Sequence, residues 1–152
     1  MGNLEIVDDV KNQFSVGLPK SWKTNLYYDA VQSSIFSADT TKQLTETVLI
    51  DVSYIKEKID FSDAFKLKLE QENLSNKLIQ TTSKEINLLQ KSSYYSISRG
   101  KKGKFAYQMC NTFIKLNDEN FLQIKTEVYG DSLVNERFCK AFQLINTIKI
   151  KS

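Results

Sequence analysis

Residues 14–22, FSVGLPKSW, put apolar side chains at Phe14, Val16 and Leu18 with small or polar ones between them, and then reach the chain's single proline. Such alternation is the period of a strand with one buried face. Proline has no amide hydrogen to give to a ladder, so Pro19 ends the strand. The chain must turn at Lys20 and Ser21, and its only tryptophan follows directly. Trp22 is expected to fold back over one end of a hydrophobic core.

The two-residue period recurs along most of the sequence. Val31 to Phe36 reads as a second strand and Thr45 to Tyr54 as a third, with Val48, Ile50, Val52 and Tyr54 on one face. The polar stretch Ser37 to Gln43 between them makes the two antiparallel neighbours. Leu78 to Leu89 reads as a further strand. Tyr94 to Arg99, Lys104 to Leu116 and Asn120 to Tyr129 form a meander with the turns GKKG and NDEN, and TIKI closes the chain as a short strand. Two segments change period. Phe61, Ala64, Phe65 and Leu69 are spaced by three and four, which predicts a helix over Asp60 to Asn73 with Asp60 as its cap. Val134, Phe138, Ala141 and Ile145 predict a second helix, Ser132 to Asn146, capped by Asp131 or Ser132. The fold class is therefore α+β, a largely antiparallel sheet flanked by two main helices. Residues 1–12 read as an N-terminal extension and residues 13–152 as a single domain, the size that 152 residues allow.

This element order, with FSVGLPKSW at its start and Asn117 to Ile150 at its end, resembles the PsbP/Mog1 superfamily. There a strand ending in Leu-Pro is followed by a small or basic residue and a tryptophan, and the domain closes with a strand, a helix ending in Phe and an Ile-rich strand. By element order the resemblance runs from Phe14 to Ile150; by residue pattern it covers those two ends. It implies a PsbP-like α/β/α sandwich. The superfamily includes photosystem extrinsic subunits, a nuclear-transport accessory factor and many bacterial proteins without an assigned role, so the resemblance implies no particular activity. Members that touch metals lean on His or clustered carboxylates, and no metal site is carried over.

The chain has no histidine. That excludes every His-dependent triad, His-ligated zinc site and imidazole switch. Its serines lack an activating base, and Asp8–Asp9, Glu70 with Glu72, and Asp118–Glu119 have no spacing that pairs an acid with a base. No catalytic residue, metal or cofactor is expected, and the chain does not read as an enzyme. Its net charge of +3 is spread along the length, which argues against a nucleic-acid partner. No run approaches the roughly 20 apolar residues of a membrane span. A leader removed ahead of Met1 would make the protein secreted or a lipoprotein; a native Met1 would make it cytoplasmic. Cys110 and Cys139 read as buried free thiols, with a disulfide as the other option.

The best candidate site is RGKKGK, where Arg99, Lys101, Lys102 and Lys104 fall within one tight turn. Gly100 and Gly103 permit positive φ, so cations and amide groups could converge on an anion or an acidic partner surface. The GxxG spacing of KH domains is present too, but there it joins two helices, and here it joins two strands. Tyr27, Tyr28, Tyr94, Tyr95, Tyr107 and Tyr129 fit ordinary sheet composition, with Tyr107 and Phe105 alone beside the basic turn. The function expected is a non-enzymatic accessory or adaptor module that binds another protein. The alternative is a small-ligand or lipid carrier using a cavity between helix and sheet.

Overall fold

A computed structural model describes residues 3–43, 46–130 and 133–151. The Pro19 corner proves to be the point where the chain leaves one sheet for another. Strands β1 (Leu4–Asp8), β2 (Phe14–Pro19) and the terminal β10 (Lys149–Ile150) form a three-stranded sheet in the order β1-β2-β10. Past the corner the chain enters a seven-stranded sheet: β3 (Lys23–Tyr28), β4 (Gln32–Ala38), β5 (Val48–Ile55), β6 (Ile79–Leu88), β7 (Lys91–Lys102), β8 (Phe105–Lys115) and β9 (Phe121–Tyr129). Their order is β3-β4-β5-β9-β8-β7-β6, every neighbouring pair antiparallel. Helices α1 (Asp63–Ser75) and α2 (Val134–Ile145) complete the α+β fold.

Alternation and register divide the large sheet into two unlike faces. One carries Ile35, Ile50, Val52, Ile114, Leu122 and Ile124, all fully buried beneath Phe14, Val16 and Leu18 of β2 and Leu144 and Ile145 of α2. Burying each such aliphatic side chain contributes about 1.5–3 kcal/mol, so this dry layer is the main source of stability. The opposite face is polar. Phe36, Asp51, Lys125, Asn111 and Ser96 lie in one row across five strands, and the next row contains Ser34, Ser53 and Gln123. Side chains here satisfy one another: Tyr27 donates to Asp51 at 2.5 Å, Gln123 to Asn111 at 3.0 Å and Ser96 to Gln80 at 2.8 Å. Helix α1 covers one end of this face, where Phe61, Phe65 and Leu69 pack on Ile55, Tyr94, Phe113 and Phe121.

Several boundaries move relative to the sequence reading. The α1 cap is Ser62, whose Oγ accepts from the Phe65 amide at 3.2 Å, whereas Asp60 pairs with Lys115 and Lys58. A hydroxyl three residues ahead of a helical amide reaches it; a residue two further back does not. Helix α2 starts at Val134, behind Leu133 in the left-handed region, and the anticipated caps Asp131 and Ser132 lie outside the described residues, as does Thr45. Strand β3 is unanticipated, as is β1 within residues 1–12, which the sequence reading sets apart as an extension. Asp9, next to β1, is buried and accepts from the Gln13 and Phe14 amides and from the Ser33 hydroxyl, tying the β1–β2 loop to the large sheet. Trp22 is half-buried against two apolar clusters, and its amide donates to the Pro19 carbonyl at 3.1 Å. Cys110 is buried and Cys139 exposed, both free thiols, so the buried reading holds for only one of them. Burial pushes the Cys110 thiol up to about 11.

Candidate functional site at the basic hairpin

The GKKG stretch, expected as a turn, is mostly strand. Strand β7 runs on to Lys102 and β8 resumes at Phe105, so the turn itself is Gly103 and Lys104, with Gly103 at a φ of +61°. Gly100 is needed for a different reason than positive φ. A Cβ there would lie 2.9 Å from Leu78 Cδ2 and 3.1 Å from the Lys77 carbonyl, so a larger residue would push both aside, and glycine lets the α1–β6 connection pass this close without adjustment.

Because the hairpin is pleated, its cations separate. Arg99 and Lys101 project to the face that α2 covers further along, while Lys102 projects to the other. There Lys102 Nζ sits 3.0 Å from Glu127 Oε1 and 5.0 and 5.5 Å from the ring centres of Tyr107 and Tyr129, which stack on each other. Burial pulls this ammonium down, but hydrogen bonds to Tyr129 and Glu127 outweigh it and hold it well above the ordinary lysine value. Lys102 is thus committed to an intramolecular partner. Lys104 is exposed in the turn.

Arg99 and Lys101 instead line a groove of about 600 Å³ together with Lys77, Ile79, Gly100, Ala106, Gln108 and Tyr107, the ring that Lys102 covers from the other side. Register explains the grouping: Ile79, Arg99 and Gln108 form one cross-strand row, and Lys101 pairs with Ala106 in the next. Lys77 comes from the end of α1. Its amide donates to the Leu74 carbonyl at 3.0 Å and that of Leu78 to the Asn73 carbonyl at 2.8 Å, the hydrogen bonds of a Schellman ending. That motif puts Lys77 at a φ of +60°, where glycine is the favoured residue. Among the described residues, none of Lys77, Arg99 and Lys101 forms an ion pair, and no carboxylate lines the groove.

No protein-family model matches the chain. No curated protein sequence matches it either. Its backbone, however, superposes on solved structures. A chain from Bacteroides thetaiotaomicron matches with a TM-score of 0.64 at 12% identity, over 99% of this chain and 49% of that one, so this chain spans about half its length. The Saccharomyces cerevisiae Ran-binding protein Mog1p matches at 0.61 and 12% identity, over 99% and 96% of the two chains. PsbP from Synechocystis, CyanoP, matches at 0.61 and 10%, over 99% and 94%. The fold is PsbP/Mog1-like.

Within this PsbP/Mog1-like domain the groove draws on two hairpin strands and a helix end distant in sequence. Arg99 and Lys101 were legible in the basic run. Lys77 was not, since nothing local connects it to residues more than twenty positions away. Among the described residues, no three Cys, Asp or Glu side chains gather as metal ligands would. No described helix is long and apolar enough to cross a membrane.

Proposed function

We propose that this domain is a non-catalytic protein-binding module that takes an acidic, extended segment of another protein into the groove lined by Lys77, Arg99 and Lys101. The observation that carries this reading is that Lys77, Arg99 and Lys101, none in an ion pair among the described residues, line one groove with the apolar Ile79 and Ala106. Lys77 supplies the third cation from the left-handed position that ends α1, where a non-glycine residue costs on the order of 1 kcal/mol. The Saccharomyces protein of this fold is Ran-binding by name, which agrees with a protein partner. Exposed ion pairs contribute about 0.2–1 kcal/mol each, so the cations act chiefly on encounter rate and orientation, and the apolar floor on residence.

Fluorescence anisotropy with a labelled peptide of alternating Glu and Leu tests the proposal. Binding should weaken steeply with added salt and fall at least about tenfold in Arg99→Glu/Lys101→Glu. Peptide binding that is indifferent to the Arg99/Lys101 reversal would overturn it.

A further inference from the structure

The Pro19–Trp22 corner encloses a second cavity, of about 280 Å³, where α2 meets the start of β5. Trp22, Val48, Ala141 and Leu144 make its apolar wall. Its rim is charged, but the charges are unequally engaged. The Asp39 carboxylate accepts from the Thr41 amide and hydroxyl at 3.0 and 2.5 Å. Arg137 donates to the Thr47 carbonyl at 3.4 Å and lies in the field of Glu46. Lys42, Lys140 and Glu46 remain: among the described residues none of the three forms an ion pair and all are exposed, so two ammonium groups stand against the one carboxylate that faces Arg137. An apolar cup with two uncommitted ammonium groups at its lip is complementary to one class of ligand.

We infer that this cavity binds a small amphipathic organic anion, its apolar body against Trp22, Val48 and Leu144 and its carboxylate at Lys42 and Lys140. The volume lies just under the roughly 300–1,000 Å³ usual for small-molecule sites, which suits a single ring or one medium alkyl chain and excludes a two-chain lipid. The body displaces water from the cup, and the carboxylate stays at the wet rim, so no charge is buried unpaired. This site is separate from the groove at the basic hairpin and does not depend on the reading given to that groove.

Trp22 is the chain's only tryptophan, so its emission reports on the wall of this cavity alone. The test titrates the full chain with decanoate, kept below its micelle threshold, and follows that emission. A saturable change at one decanoate per chain is expected. Decan-1-ol, with the same chain and no charge, should bind at least about tenfold more weakly, and Lys42→Glu/Lys140→Glu should weaken decanoate by a similar factor. Arg99→Glu/Lys101→Glu should leave decanoate binding unchanged. No saturable change, equal binding of decanoate and decan-1-ol, or indifference to the Lys42/Lys140 reversal would overturn the inference. Should that double variant fail to fold, the decanoate and decan-1-ol comparison on the unaltered chain decides alone.

Discussion

The middle of the β7–β8 hairpin and its free end are built from the same two strands, yet they meet different surroundings. In the middle, Tyr95, Ile97 and Cys110 lie under Phe138 and Phe142 of α2, while Tyr94 and Phe113 lie under Phe65 of α1. At the end the strands outrun both helices, and the positions that would be core carry Arg99, Lys101 and Gln108 instead. A strand pair can therefore be core along one part of its ladder and the wall of an open groove along another. What changes from one to the other is the cover, not the backbone.

If the cover makes the middle, removing it there should be the most damaging change. Phe138→Ala, at a residue 6% exposed, should destabilise by about 3–5 kcal/mol in urea unfolding. If residues 13–152 fold as a single domain, the loss should register in one cooperative transition. Two separable transitions would overturn the single-domain expectation.

Lys102→Glu probes the committed side of the hairpin end. It replaces an ion pair and two cation–π contacts with a carboxylate beside Glu127, and should cost about 1–2 kcal/mol even after allowance for solvent screening. Lys77→Gly should do the reverse, raising stability by about 1 kcal/mol through relief of the left-handed backbone while weakening acidic-peptide binding. A stabilised variant with unchanged peptide binding would remove Lys77 from the groove's function.

A smaller effect is expected on the polar face of the middle. Burial raises the Asp51 carboxyl above its ordinary value of 3.8, against a lowering hydrogen bond from Tyr27. The folded state then holds this proton more tightly than the unfolded chain, so wild type should gain stability relative to Asp51→Asn as pH falls from about 7 toward 4. The gain is complete below the unfolded value and absent above the folded one. A difference that is flat in pH, or that shrinks on acidification, would break the assignment. Smallest of all, Arg99→Glu/Lys101→Glu should leave stability within about 0.5 kcal/mol, since among the described residues neither cation has an ion pair to lose.

Much of this architecture is readable in local period. Val48, Ile50 and Val52, or Phe138, Ala141 and Ile145, announce a strand and a helix because one face of each is buried and the alternation records it. β3 left no such record: of Lys23 to Tyr28, five residues are exposed and none is buried, so its pairing to β4 is the only thing that makes it a strand. The basic run was recognised as the candidate site, but its cations were grouped by adjacency along the chain. Extending β7 to Lys102 sends neighbouring residues to opposite faces, which leaves Lys102 with Glu127 and Arg99 with Lys101.

The order of residues thus specified most of the elements, though not β1 or β3, together with the Pro19 corner and the absence of any imidazole chemistry, all of which depend on backbone geometry or composition within a few residues. Only the tertiary structure decided that the corner changes sheets, that Asp9 fastens the small sheet to Ser33, and that Lys77 completes a groove with Arg99 and Lys101. These are contacts between segments far apart in the chain. Which of them form is settled by how the two sheets and two helices jointly bury the apolar positions, a competition that no single stretch of sequence contains.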